Sequence, residues 1–382
     1  MHNIVAFPKL FGYFYQMTFL PTASVSQVRA LEAAVLPLLD DAQARGIFSA
    51  AAVVVATDGI VSEIYSGTVR TWDTAERAAA ISWPATDCDT RFDLASVTKP
   101  VVAAAFLVEL EARGQSSELL VSELLPEFAT GPLARVTVAM LLGHTAGFCT
   151  EWLSRHDGAS IAQFRADEQE TAAHPGHQYS CVGYIWAGLA LEALAQQSLA
   201  EVLKARVLAP LAMTHTGFHP PIESLGQIAA TEFQGNRGLV HGEVHDEASW
   251  TLGGATGNAG LFGTARDVML FAEALRTGLT TQGTIAFSPA VLAALRTPIS
   301  TTTAVGFGQA LGPRVNDSWS RAFGSTVLSH TGFTGTAFAT QLDGRRSVVF
   351  FTNRVHPTRA STAVLELRER IAEIAARIEE QP

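Results

Sequence analysis

The sequence predicts an α+β protein: one antiparallel sheet built from both ends of the chain, flanked by N- and C-terminal helices, with a mainly helical domain between them. Three observations predict it. Two β-rich runs meet around Asp58-Gly59 near the start of the chain, AAAVVVAT before it and IVSEIYSG after it. Two more, TAFATQL and SVVFFTN, meet around Asp343-Gly344 near its end. Helical periodicity brackets both pairs and dominates residues 96–295. Asp-Gly between such runs is a strong hairpin signal, because a two-residue primed turn needs positive φ at both positions.

Taken in order, residues 1–24 read as a tail. MHNIVAFPKLFGYFYQM is apolar and aromatic, but it has no basic start and is interrupted by Pro8 and Lys9. That makes it a poor secretory leader and too short a membrane span. Met17 is an alternative start. Residues 25–45 place Val25, Val28, Leu31, Val35, Leu38 and Leu39 at helical spacing, and Gly46 suits the C-terminal cap. The first hairpin follows. Neither hairpin can bury its apolar face alone, so joining both in one sheet is the simplest solution. RFDLA then gives way at Ser96 to the apolar helical pattern PVVAAAFLVEL. Further helical patterns run to residue 295, separated by Gly/Pro-rich loops. A closing helix carries Val364, Leu367, Ile371, Ile374 and Ile378 on one stripe. Residues 25–95 and 296–382 thus form a discontinuous α/β domain, and 96–295 a mainly helical domain against one end of the sheet.

Composition narrows the function. The 382-residue chain is 48% apolar and 16% charged, enough for a large core and without disordered character. A net charge of −10 with no basic stretch argues against a nucleic-acid partner. No later run reaches the roughly 18 apolar residues of a membrane span, so no membrane partner is expected. Cys88, Cys149 and Cys181 are too few and scattered for a disulfide framework or zinc cluster, which favours a reducing, cytoplasmic setting. The oligomeric state stays open.

Ser96 and Lys99 are the most informative pair. Residues i and i+3 share a helix face, so the amine can sit against the hydroxyl. Serine is a weak nucleophile until a neighbouring base takes its proton. Lysine can be that base if its pKa falls, which burial and the positive end of a helix favour. The chain has only three lysines (Lys9, Lys99, Lys204), and only Lys99 has a serine three places before it. The bland alternative is a buried lysine paired to Asp93. Tyr179, in Tyr179-Ser180-Cys181 at the mouth of another apolar helix, could serve as acid or base, or could be an interfacial tyrosine. His330-Thr331-Gly332-Phe333-Thr334-Gly335 precedes the strand TAFATQL, where glycines let a substrate approach the backbone closely. An ordinary glycine-rich turn is the other reading. His241, Glu243, His245 and Asp246 have the look of a metal cluster but lack a His-Glu-x-x-His helix. Cys181 with His330 is a further, weaker nucleophile pair. No Gly-x-Ser-x-Gly elbow occurs.

Ser-x-x-Lys, then Tyr-x-x, then His-x-Gly before a strand, in this order, resembles the serine β-lactamase and penicillin-binding-protein superfamily. The likeness is to its class C β-lactamase branch, with D-alanyl-D-alanine carboxypeptidases and the β-lactamase-like family VIII esterases. VTVAMLLGHTAGF, LAPLAMTHTGF and TLGGATGNAGLFGTARDVMLFAEAL fit the same branch, so the resemblance spans residues 25–380. It implies a β-lactamase/transpeptidase-like fold and no cofactor or metal. Ser96 would be the acylated nucleophile, and Lys99 and Tyr179 would share its proton. His330 would take the place of the third motif's cation. Cys181, Thr331, Gly332 and Phe333 would line the substrate, with an oxyanion hole from the N–H groups of Ser96 and Phe333.

Two departures from the family pattern bear on substrate. Cys181 stands where the family usually has asparagine, and a thiol is a weak donor. His330 stands where lysine is common, and no lysine follows Lys204. Both lean towards carboxylic esters, with weak activity on β-lactams or D-amino-acid peptides. A class C-type β-lactamase or D-amino-acid peptidase, an acyltransferase and a non-catalytic penicillin-binding sensor are the alternatives.

Overall fold

Asp58 and Gly59 turn the chain with φ of 49° and 79°, placing Thr57 opposite Ile60. Both central residues have the positive φ of a primed two-residue turn, whose twist matches the strands. That turn joins β1 (Ala50–Thr57) to β2 (Ile60–Gly67). The computed structural model describes residues 24–74, 76–152, 160–168, 176–302 and 306–377. The expected tail up to residue 23, Pro175 and Ile378 lie outside them.

Two pairs of short strands follow in the chain before the sheet resumes. β3 (Phe92–Asp93) pairs with β6 (Phe262–Gly263), and β4 (Phe233–Gln234) with β5 (Gly238–Leu239). β7 (Ser300–Thr302), β8 (Phe307–Gln309), β9 (Arg314–Val315) and β10 (Val327–Thr331) then lead to β11 (Ala337–Gln341) and β12 (Arg346–Thr352). The large sheet has eight strands in the order β2-β1-β12-β11-β10-β9-β8-β7, every pair antiparallel. β1 lies against β12, so the two chain ends share one sheet as expected. The second hairpin differs in its turn: β11 and β12 pair as far as Thr340 opposite Ser347. The loop beyond is wider than two residues because Gln341 Oε1 accepts the Arg345 and Arg346 N–H groups at 3.0 and 3.1 Å. β7, β8 and β9 are too short and too weakly patterned to have been read from the sequence.

Helices cover both faces. α1 (Val25–Ala44) and the C-terminal helix (Val364–Arg377) bury Leu31, Val35, Leu39, Val364, Leu367 and Ile371 against Ala51, Val53, Val55, Val348 and Phe350. The alternate residues Ala52, Val54, Val349 and Phe351 face the other way, into the larger core. This period of two, buried on both faces, explains the unbroken apolar run of β1. In the stretch between the hairpins, α2 (Thr98–Ala112) and a second helix at Cys181–Ala195 are apolar nearly all round and run through the core. Between them lie short helices at Val138–Leu142 and Ile161–Glu168. A later helix at Ala265–Thr277, within 96–295, packs Val268, Phe271, Ala272 and Leu275 on that same sheet face. The mainly helical stretch therefore touches the face of the sheet as well as its end. The N-termini of the two core helices bring Ser96 and Cys181 towards the Thr331 end of β10.

Candidate active site

Ser96 sits in a single 3₁₀ turn, Ala95–Val97, leading into α2. Ala95 just before it has φ 46°, a left-handed conformation that a β-carbon disfavours. Asp93 holds it there: its Oδ1 accepts the Ala95 N–H at 2.8 Å and its Oδ2 the His245 N–H at 2.6 Å. Burial raises the Asp93 pKa, while those two N–H groups and His245 pull it back. Asp93 is thus a backbone clamp, and the alternative in which it pairs with Lys99 is not what the structure adopts.

Lys99 is fully buried and points at Ser96, Nζ to Oγ 3.1 Å. The same ammonium donates to the Asn258 carbonyl at 3.0 Å and contacts Cys181 Sγ at 3.5 Å. Burial pulls its pKa down, but Cys181, Tyr179 and Asp246 push it up by more, so the net direction is upward. A lysine base would need the opposite direction, a pKa that falls. Burial raises the Cys181 thiol, partly offset by Lys99. Cys181 and His330 do not form a pair: the thiol faces the lysine, and His330 Nδ1 lies 3.0 Å from the Thr331 carbonyl.

Tyr179 stands where several groups converge. Its ring has Lys99 Nζ 5.0 Å from the centroid and the Arg314 guanidinium at 5.3 Å. The His144 ring lies 4.6 Å away and that of His330 6.4 Å. Ser180 caps the following helix through its Oγ, which accepts the Gly183 N–H at 2.9 Å.

The third stretch is tied directly to the serine turn. Thr334 Oγ1 donates to the Asp93 carbonyl at 2.7 Å and Thr336 Oγ1 to that of Leu94 at 3.0 Å. Gly332 lies so close that a Cβ there would meet Thr336 Oγ1 at 2.1 Å and the Leu94 carbonyl at 2.6 Å. Phe333 is half-exposed, with its ring stacked on His245 at 5.6 Å and under Arg354 at 4.5 Å. Arg354 Nε also donates to the Phe333 carbonyl at 2.7 Å.

His330 is fully buried, and burial, Arg314, Lys99 and His144 hold its pKa well below the usual histidine range. His330 thus stands at the third motif's place with surroundings that disfavour a charge on it. The positive charge beside Thr331 comes from Arg314, whose Nη1 donates to Thr331 Oγ1 at 3.3 Å and to Asp317 Oδ2 at 3.0 Å. Sequence reasoning missed Arg314 because it lies on a two-residue strand with no motif around it. Asn258 and His144 were visible only inside stretches quoted for their family likeness. The His241–Asp246 stretch does not converge: His241 meets the Ile228 carbonyl, His245 meets Glu232, and Asp246 caps a short helix through the Ser249 N–H.

A family model described as Beta-lactamase matches residues 31–373. The chain belongs to the beta-lactamase family. The fold is β-lactamase/transpeptidase-like, as the sequence predicted, with neighbours to match. A class C beta-lactamase superposes with TM-score 0.72 at 16% identity, covering 94% of this chain and 98% of that one. EstCE1, a hydrolase with promiscuous acyltransferase activity, superposes with TM-score 0.70 at 21% identity, covering 92% and 100%. Among curated proteins, a provisionally named D-alanyl-D-alanine carboxypeptidase of Escherichia coli (strain K12) is 29% identical over 306 residues, 70% of each chain. This member of the beta-lactamase family is a hydrolase by that relationship. Among the described residues, no helix is long and apolar enough to cross a membrane.

Proposed function

We propose that this chain is a serine acyl hydrolase working through an acyl-enzyme at Ser96. The observation that carries the reading is the buried Lys99 ammonium 3.1 Å from Ser96 Oγ, with Tyr179 beside it. Ser96 Oγ attacks the carbonyl carbon and gives its proton to the Lys99–Tyr179 pair. Because the surroundings of Lys99 favour its ammonium, the accepting atom is the Tyr179 oxygen, which enters the step as a phenolate held by that ammonium and leaves it as the neutral phenol, while the negative charge passes to the carbonyl oxygen. Tyr179 returns the proton to the leaving group as the acyl–leaving-group bond breaks. Water then takes the reverse path and frees Ser96. The Ser96 and Phe333 N–H groups are the proposed oxyanion donors, aligned by the Thr334 and Thr336 ties to the serine turn.

Carboxylic esters are the proposed main substrates, since Cys181 offers a thiol where an amide side chain would be bound. A second reading is favoured by one observation. Arg314 and Thr331 together make a cationic, hydrogen-bonding corner suited to a substrate carboxylate, which brings β-lactams and D-amino-acid peptides within range.

A paired assay tests this: turnover of p-nitrophenyl butyrate and of nitrocefin, with intact mass recorded on each. The expected result is ester turnover, a transient acyl adduct, and loss of both in Ser96→Ala. Near-wild-type turnover by Ser96→Ala would move the nucleophile elsewhere.

A further inference from the structure

We propose that His144 is the positioning residue for Tyr179, acting through a ring nitrogen that accepts a backbone N–H beside it. The inference rests on the reading above, in which Tyr179 moves the proton.

Residues 177–180 belong to no helix or strand, so no ladder of backbone bonds fixes Tyr179. Both N–H groups flanking it go to one residue. Gln178 N–H donates to the His144 carbonyl at 2.9 Å, and Ser180 N–H to His144 Nδ1 at 3.0 Å. The His144 ring also lies 4.6 Å from the Tyr179 ring, inclined by 36°. One buried residue, through its backbone carbonyl and its ring, thus contacts the chain on both sides of the tyrosine and the tyrosine ring itself.

His144 is itself rigidly placed. It is 2% exposed, follows the helix end at Gly143, and has φ 57°. An Nδ1 that accepts carries no proton, so the neutral ring must be protonated on Nε2. Ionising the ring would put a donor against the Ser180 N–H and break the contact. Burial disfavours that, as do the charges that face the ring from Lys99, His177 and Arg314. A displacement of about 1 Å at a reacting group can cost on the order of a hundredfold in rate.

Two substitutions separate the acceptor from the backbone strain, because glycine and asparagine both tolerate a left-handed φ. His144→Gly removes the acceptor; His144→Asn keeps an oxygen near the place of Nδ1. The ester assay on each variant, with a thermal melt, gives kcat and KM separately. For His144→Gly the expected loss in kcat is about a hundredfold with KM within about threefold, and His144→Asn should recover at least about tenfold of it. A glycine variant within threefold of wild type, or an asparagine variant no better than glycine, would overturn the proposal. If the glycine variant melts too low to assay, the asparagine variant alone decides: kcat within tenfold of wild type supports the role, and a larger loss overturns it. Ser96→Ala is run alongside. Turnover retained there would sink the catalytic reading itself, whereas a dead Ser96→Ala leaves the histidine variants testing positioning alone.

Discussion

Arg314 on β9 reaches across to Thr331 at the end of β10, Nη1 to Oγ1 3.3 Å, while its guanidinium stands over the Tyr179 ring. Its Nε has no protein partner among the described residues. A guanidinium therefore stands beside the third motif, carried by the neighbouring strand.

Arg314→Gln should lower kcat/KM for nitrocefin, which carries a carboxylate, by about tenfold to a hundredfold, the usual worth of a charge-assisted hydrogen bond. Turnover of the neutral ester p-nitrophenyl butyrate should change far less. Steady-state kinetics on both substrates gives the ratio, and equal losses would mean that Arg314 only supports Tyr179.

Cys181 contacts the Lys99 ammonium at 3.5 Å with a side chain that donates weakly. Cys181→Asn should raise β-lactam hydrolysis relative to ester hydrolysis, read as the nitrocefin to p-nitrophenyl butyrate ratio. An unchanged ratio would remove this position from substrate choice.

Gly332→Ala would force a Cβ into Thr336 Oγ1 and the Leu94 carbonyl. The overpacking should cost about 1–3 kcal/mol of stability. It should also part the third motif from the serine turn, so activity should fall further than the melting temperature implies. An alanine variant with wild-type kcat would show that the close approach is not needed.

Stability should fall as the solution is acidified. Burial, with nearby positive charge, holds His144 and His330 well below the usual range, and lowers His356 to about 4. In the unfolded chain each takes up a proton near pH 6.5, which the native state resists. Their contribution is therefore complete above about pH 6.5 and is lost below it, at up to about 1.4 kcal/mol per pH unit for each group. For His356 the loss runs down to about pH 4. His356 Nε2 accepts the Thr71 and Trp72 N–H groups, both at 3.2 Å, so the neutral ring latches that loop. Denaturant midpoints measured from pH 7.5 to 4.5 should decline; a flat profile would contradict the buried neutral histidines.

Much of the site was legible in the chain because its signals are local. Ser96 and Lys99 are three residues apart on one turn, and helical geometry alone brings them together. The Asp58-Gly59 turn follows from backbone sterics, and the apolar runs of β1 and β12 from burial on both faces. The order of the three motifs was enough to indicate the family.

What the sequence determined, then, is whatever depends on neighbours within a turn or on a repeating pattern: the hairpins, the apolar helices, the Ser96–Lys99 pair and the glycine at 332. Only the tertiary structure decided the charge states and the long-range partners. Arg314 meets Thr331 because β9 pairs with β10, a register that no local pattern encodes. His144 meets Ser180 across a loop, and Asp93 meets His245 across 152 positions of chain. Lys99 and His330 illustrate this: burial sets the cost of a charge, and the groups brought alongside turn the Lys99 pKa upward and the His330 pKa downward.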